Sequence, residues 1–331
     1  MTMGADEAEL DRLLAADPRN IDALVRKGDL RAAADDQRGA TAFYKAALGA
    51  ASAAGTLPSS LKPAIDRAVA GVRRAEAMFL DHLEQTLARA GFAEGSRPPR
   101  FQHALDLLLG RAAASPAMQR PTGFYYPGLR ERAFYDPAEF SWAAAVQDQT
   151  AAMLGELRAA EAAGIDSFTP YLVGDPSRPR SDFHGLHDNP DWSTLQLWEK
   201  GAPGPLADHF PQTMAAIEAS DVPRISVRAP NILFSKLTAG ARIPPHHGML
   251  NARLICHLPL IVPPGCGFRV GPERRHWEAG KLLIFDDTIE HEAWNGGDRD
   301  RVVLIFDVWH PDLEAEERRA ISTLFDAIDA I

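Results

Sequence analysis

Hydrophobic residues follow two different spacings along the chain. In about the first hundred residues, Ala, Leu and charged side chains dominate, and apolar residues such as Tyr44 and Leu48 recur four positions apart, as on one face of a helix. Beyond about residue 163, the apolar residues gather instead into short β-branched runs separated by Pro and Gly. The pattern therefore predicts a helical part followed by a β part.

The helical part, taken as residues 1–95, has small residues where two helices would cross. Gly28, Gly39 and Ala42 would let the helices approach closely, and the Asp17-Pro18 step precedes them. This arrangement resembles one tetratricopeptide hairpin, and a generic helical bundle is the alternative. We expect such a domain to bind a protein or peptide partner, or to pack against the rest of the chain.

Prolines interrupt the helical pattern in residues 96–135, which we predict to be a linker with an aromatic segment. Residues 136–331 then form the predicted second domain, with helical periodicity at residues 137–163 and an amphipathic tail at residues 312–331. Six runs between them have the composition of strands: 225–227, 232–237, 252–261, 267–270, 281–285 and 301–308. Closely spaced short strands favour a sandwich or barrel, so the expected fold class is α+β.

The composition argues against several kinds of partner. The 331 residues carry a formal net charge of −10 and no marked cluster of Lys and Arg, so we expect no nucleic-acid partner. No apolar run reaches the ~18–20 residues that span a bilayer, so we expect no membrane partner. Residues 1–10 are acidic and lack the regions of a signal peptide, which makes the expected location cytoplasmic.

Three polar residues of the β part suggest a chemistry. His246 follows a Pro-Pro turn, His291 lies between two glutamates, and Arg301 begins the last apolar run. Two imidazoles from separate strands of a barrel can bind one divalent metal. A buried Arg is costly unless it meets an anion, and its planar fork suits a carboxylate. The set therefore suggests an iron site that binds a 2-oxo acid.

The segment from Ser235 to Leu313 resembles the aspartyl/asparaginyl β-hydroxylase family of Fe(II)- and 2-oxoglutarate-dependent dioxygenases. The matching motifs are, in order, Pro245-His246-x-Gly248, Asn251-x-Arg253-Leu254-x-x-His257-Leu258, Trp277-Glu278-x-Gly280-Lys281-x-Leu283-Ile284-Phe285-Asp286-Asp287, Glu290-His291-Glu292-x-Trp294, Arg301 and Asp307-Val308-Trp309-His310-Pro311. Weaker agreement begins at Asp191-Trp192-Ser193 and Leu197-Trp198, so the match spans about 120 residues.

The resemblance implies a role for each matched residue. The iron ligands, and thus the catalytic pair, would be His246 and His291. The residues that hold 2-oxoglutarate would be Ser235 and Arg301 at its distal carboxylate, His257 near its metal-chelating end, and Trp198 in the same pocket. Arg253 would contact the substrate. The implied fold is a double-stranded β-helix, and the implied reaction hydroxylates an amino-acid, peptide or related acyl substrate while releasing succinate and CO2.

Two positions depart from the family's pattern, and a third position differs from the common facial triad of iron oxygenases. Several family members have a second Arg where this chain has Ile255, and a family Lys is replaced by Leu233, so the resemblance does not settle whether an Asp or Asn side chain is accepted. The carboxylate that usually completes an iron triad would stand at Gly248, which predicts a site with only two protein ligands. His247 is expected to face away from the metal, since neighbouring strand residues point to opposite faces.

Two rival functions differ in what they require. A catalytically silent barrel, acting with the helical domain as an adaptor for a protein partner, would need neither the histidines nor Arg301. A cupin-type metal enzyme with another cofactor would need the histidines, while Ser235 and Arg301 would have no carboxylate to bind. Succinate release with iron and 2-oxoglutarate separates both rivals from the leading hypothesis.

Overall fold

The computed structural model describes residues 3–54, 57–114, 116–165, 167–173 and 187–330. These residues divide into two compact units, the first built from residues 3–86 and the second from residues 87–172 and 187–329. Residues 96–135 thus belong to the second unit. The predicted domain limits at residues 95 and 135 stay predictions.

The first unit is helical, as its sequence predicts. Its helices are α1 (Met3–Ala16), α2 (Ile21–Ala33), α3 (Gln37–Ala53) and most of α4 (Lys62–Arg89). The Tyr44 ring of α3 packs so closely on Gly28 and Gly71 that a Cβ at either glycine would overlap it. Small residues therefore do permit close helix packing here, while the tetratricopeptide resemblance itself stays a prediction.

The second unit contains the strands and a further set of helices. The helices are α5 (Pro99–Leu108), α6 (Ala143–Asp148), α7 (Thr150–Ala163), α8 (Pro211–Glu218) and α9 (Ala315–Asp329). The strands are β1 (Phe134–Tyr135), β2 (Thr169–Pro170), β3 (Trp192–Glu199), β4 (Ala202–Pro203), β5 (Ile232–Leu237), β6 (Arg242–His246), β7 (Arg253–Ile261), β8 (Cys266–Val270), β9 (Glu273–Arg275), β10 (Leu283–Phe285), β11 (His291–Asn295) and β12 (Arg301–Trp309).

Two antiparallel sheets form the barrel. The larger has the order β1-β10-β7-β12-β5-β3-β2, with β4 paired to β3, and the smaller has the order β6-β11-β8-β9. From β5 to β12, successive strands alternate between the two sheets, apart from the neighbours β8 and β9, which is the winding of a double-stranded β-helix. The predicted α+β class, with a helical part before a jelly-roll barrel, is confirmed.

The larger sheet has one apolar face covered by helices. Leu254 and Cys256 of β7 and Leu304 of β12 join a buried cluster with Leu157 of α7 and Ile217 of α8. Because side chains alternate along a strand, the odd-numbered residues of β7 and β12 face the opposite way, into the barrel. That inner face carries the polar residues of the candidate site.

None of the helices in the described part of the chain combines the length and the apolar character needed to cross a membrane.

Candidate functional site

The two predicted metal ligands lie side by side. His246 ends β6, His291 begins β11, and the two residues are directly paired with ring centroids 4.0 Å apart. Nδ1 of His246 lies 2.8 Å from the carbonyl oxygen of Pro244, and Nδ1 of His291 lies 3.0 Å from that of Ile289. Since a carbonyl can only accept, each Nδ1 carries the proton, which leaves each Nε2 with the lone pair that a metal needs.

Burial keeps the second histidine neutral. It lowers the pKa of His291 well below its usual value, and the neighbouring His246 lowers it further. A neutral imidazole is the form that binds metals, so the environment favours the ligand state at neutral pH.

The space beside Gly248, where the carboxylate of a metal triad would stand, is occupied by the carboxyl group of Asp287. A Cβ at position 248 would overlap the carboxyl group of Asp287, and the Gly248 N–H donates to the Asp287 carbonyl oxygen at 2.6 Å. The Asp287 carboxylate in turn lies 3.3 Å from Nη2 of Arg253. Among the described residues, no group of three or more His, Cys, Asp or Glu is arranged to hold a metal ion. A two-histidine site therefore stays the prediction.

Arg301 lies deep inside the barrel, with 1% of its surface exposed. Its Nη2 is 3.5 Å from Oγ of Ser235, at the limit of a hydrogen bond, and its guanidinium carbon is 4.7 Å from the centre of the Trp277 ring. Its Nε has no hydrogen-bond partner among the described residues. Burial lowers the pKa of Arg301 to about 10, because no carboxylate in the described part compensates the charge.

His257 faces the same interior from β7. Its ring lies 4.8 Å from that of Phe285 and 6.0 Å from that of Trp277. Burial, and next the charge of Arg301, lower its pKa well below the usual value, so it is neutral. Its Nδ1 and the Trp277 Nε1 are both buried without a partner among the described residues. Three polar atoms, counting Nε of Arg301, thus lack partners within one aromatic-lined interior, which fits a polar, anionic co-substrate.

Trp198 is not brought to this group. It joins the helix-side cluster with Leu197 and Ile217, and Arg224 lies 4.7 Å above its ring. A β-bulge after Gln196 shifts the alternation of β3 and turns the indole to that face.

Two other tryptophans lie at the site instead. The ring of Trp192 is 6.2 Å from that of His246, and Trp277 lies under Arg301. Both stand in motifs that match the family pattern, but the sequence alone assigns neither of them a role. Their spacing carries no signal that distinguishes them from core tryptophans.

Arg253, the predicted substrate contact, lies at the other end of the barrel strands from Arg301. It pairs with Asp287 and, at 3.7 Å, with Asp307, and its Nη1 is buried without a partner among the described residues. The small cavity beside it is also lined by Arg228 and Asp307, and its other walls are apolar and include Ile225, Leu250, Trp309 and Ile321. Ile255 follows Arg253 on the same face of β7, where a second Arg would have stood.

Comparisons with known proteins indicate the family of the chain. The profile of the aspartyl/asparaginyl beta-hydroxylase family matches residues 164–311. The aspartyl/asparaginyl beta-hydroxylase of Mus musculus is 38% identical over 141 residues, or 42% of this chain and 19% of that protein. The corresponding Homo sapiens protein is 36% identical over 151 residues, or 18% of its length. The matched part is thus about a fifth of these mammalian relatives.

A bacterial relative is matched over most of its length. The ornithine lipid ester-linked acyl 2-hydroxylase of Rhizobium tropici is 30% identical over 237 residues, which is 69% of this chain and 76% of that protein. A cupin domain of Schizosaccharomyces pombe Cnp3 overlaps 36% of this chain and 65% of its own, with 9% identity and a TM-score of 0.25. From the matched family profile and the extent of the bacterial match, this chain belongs to the aspartyl/asparaginyl β-hydroxylase family.

Proposed function

We propose that this protein is an Fe(II)- and 2-oxoglutarate-dependent dioxygenase that hydroxylates an amino-acid, peptide or related acyl substrate and releases succinate and CO2. Membership of a hydroxylase family supports an oxygenase-type enzyme. The observation that carries the co-substrate proposal is the buried guanidinium of Arg301, whose Nε has no partner among the described residues.

Without a bound anion, the buried guanidinium of Arg301 is energetically costly. Burying a charge without a counter-ion costs several kcal/mol even after the protein relaxes. The ring of Trp277 offsets about 2 kcal/mol of that, and the Ser235 contact at 3.5 Å adds little. A bound carboxylate would compensate the rest through two parallel hydrogen bonds. A cupin-type enzyme without a 2-oxo acid would carry this cost for no purpose.

The metal proposal rests on the histidine pair. Imidazole nitrogen suits Fe(II), and Nε2 of His246 and of His291 would supply the protein ligands. When bound there with 2-oxoglutarate, Fe(II) supplies the oxygen activation on which hydroxylation depends. His257, neutral and with an unpaired buried ring nitrogen, is suited to hydrogen-bond the co-substrate carboxylate that lies nearer the metal.

The substrate end has little excess positive charge. Arg253 is already matched by Asp287 and Asp307, and the family cations are replaced by Ile255 and Leu233. The other arginine at this cavity, Arg228, pairs with Asp329, so a second carboxylate on the substrate would find no free cation there. The apolar walls of the cavity beside Arg253, together with the unpaired Nη1 of Arg253, suit a neutral carbonyl next to an apolar group. We therefore place acyl-bearing substrates, the kind named for the Rhizobium relative, ahead of acidic side chains.

The test is substrate-stimulated turnover. The protein is loaded with Fe(II) without oxygen, mixed with 2-oxoglutarate and air, and screened by NMR against amino acids, peptides and N-acyl or O-acyl amino acids. We expect succinate in an amount equal to the hydroxylated product, and none from His246→Ala. Tight metal binding without 2-oxoglutarate binding would favour the cupin-type rival, and binding of neither would favour the silent adaptor.

A further inference from the structure

We propose that Trp277 is a positioning residue for 2-oxoglutarate: it orients Arg301 toward the distal carboxylate and so helps the site to select a dicarboxylate. The inference rests on the proposed function. Trp277 is 4% exposed and lies in the loop between β9 and β10.

The first observation is the position of the indole face. The guanidinium carbon of Arg301 lies 4.7 Å from the ring centre, and the ring of Phe268 is stacked on Trp277 with the planes 20° apart and the centroids at 5.4 Å. Phe268 in turn packs against Phe285 at 4.7 Å. The Trp277 ring, which is the platform for the guanidinium, is therefore held in place by an aromatic stack and forms a rigid surface.

The second observation is what this platform leaves open. A ring face attracts the cation without using any of its N–H groups, whereas a carboxylate partner would occupy them. Nε of Arg301 has no partner among the described residues, and the Nε1–H of Trp277 is another buried donor in the same condition. Trp277 thus stabilises a buried cation while keeping its donors available, and it adds a donor to the same interior.

The two ends of the co-substrate therefore depend on different residues of the site. The metal-chelating end of any 2-oxo acid is bound by the histidine pair and its metal, irrespective of what the far end carries. Only the distal carboxylate depends on Arg301 and thus on Trp277. Loss of the platform should therefore weaken 2-oxoglutarate much more than 2-oxovalerate, which has the same chain length but lacks the distal carboxylate.

The experiment measures dissociation constants by calorimetry on the full chain loaded with Fe(II) under nitrogen, so no turnover is involved. The ligands are 2-oxoglutarate and 2-oxovalerate, and the variants are Trp277→Leu and Trp277→Phe. The matched control is Trp294→Leu, because Trp294 also has arginines beside its ring, Arg242 and Arg274 at 5.9 Å each, but lies on the outer face of β11. Fe(II) affinity is recorded for every variant.

We expect the preference for 2-oxoglutarate over 2-oxovalerate to fall about five- to thirtyfold in Trp277→Leu, the range of a buried cation–π contact. Trp277→Phe keeps a ring face and should retain part of the preference, while Trp294→Leu should keep all of it. Equal weakening of both ligands in Trp277→Leu would overturn the inference, since that is the effect of a purely structural residue, and so would an unchanged preference. If the parent protein itself binds neither oxo acid, the proposed function fails and the inference fails with it.

Discussion

Replacing Arg301 with Met separates a ligand-binding role of the buried cation from a structural one. The substitution keeps an unbranched apolar side chain of similar length and removes only the charge and its donors. Since Arg301 is 1% exposed and no carboxylate in the described part pairs with it, the two roles predict opposite effects on the ligand-free protein.

The magnitudes follow from the environment of the guanidinium. A pKa lowered from 12.5 to about 10 corresponds to a penalty of about 3 kcal/mol on the charged form of Arg301. Removing the charge relieves that penalty and loses about 1–2 kcal/mol of contact with Trp277. The free energy of unfolding without ligand should therefore stay the same or rise. Affinity for 2-oxoglutarate should instead fall by about 2–5 kcal/mol, at least ~30-fold.

Two assays on the same preparations test both effects. Urea unfolding of the metal-free, ligand-free protein gives the free energy of unfolding, and calorimetry with Fe(II) under nitrogen gives the dissociation constants of 2-oxoglutarate and of the metal. Arg274→Met is the matched control, because Arg274 also stands beside a tryptophan ring but is exposed. Arg274→Met should change neither the free energy of unfolding nor the two dissociation constants.

Two results would refute the reasoning. Unchanged affinity for 2-oxoglutarate in Arg301→Met would mean that the guanidinium does not bind its carboxylate. A loss of more than about 3 kcal/mol in the ligand-free protein would mean that Arg301 has a structural partner, because breaking a buried ion pair has a cost of that size.

Three further predictions concern the metal site, acid stability and the extent of the catalytic unit. Gly248→Asp should lower both metal affinity and melting temperature rather than complete a triad, because its Cβ would overlap a carboxyl group already present; a gain in Fe(II) affinity would contradict this. Burial lowers the pKa of His310 to about 4, so as the pH falls the unfolded chain takes up a proton at this histidine before the folded chain does. The free energy of unfolding should therefore drop by up to about 3 kcal/mol between pH 6.5 and pH 4. Urea titrations of His310→Gln should show a smaller drop over the same pH range. A chain beginning at residue 87 should keep 2-oxoglutarate turnover. Within that chain, Arg100→Met should lower the free energy of unfolding by about 1–3 kcal/mol because it removes the partner of buried Glu317; an unchanged free energy of unfolding would count against that contact.

The pattern of apolar residues was sufficient to predict the strands that are apolar throughout. The predicted run 232–237 is β5, and the run 301–308 is β12 less its last residue. Such strands are buried on both faces, one against helices and one in the barrel, and they therefore show as continuous apolar runs. The run 225–227 was wrong as a strand: Val227 has a φ of 52°, and Ile225 makes only an isolated bridge with Ala229.

The strands that carry the two proposed metal ligands, His246 and His291, were not predicted. β6 reads Arg-Ile-Pro-Pro-His and β11 reads His-Glu-Ala-Trp-Asn, and neither has the composition of a strand. They are strands because they pair with each other and β11 also pairs with β8. Pairing between distant segments supplies the hydrogen bonds that local propensity does not favour.

The sequence by itself determined which residues have the chemistry for this site. It shows two histidines, an arginine at the start of an apolar strand, and their order along the chain. Only the tertiary structure decided which aromatic residues surround them. Trp198 faces the helices and Trp192 lies near His246, because a bulge in β3 is set by its pairing with β5. One extra residue in a strand reverses the face of every side chain after it. Where that extra residue falls in β3 depends on its pairing with β5, which lies about forty positions further along the chain.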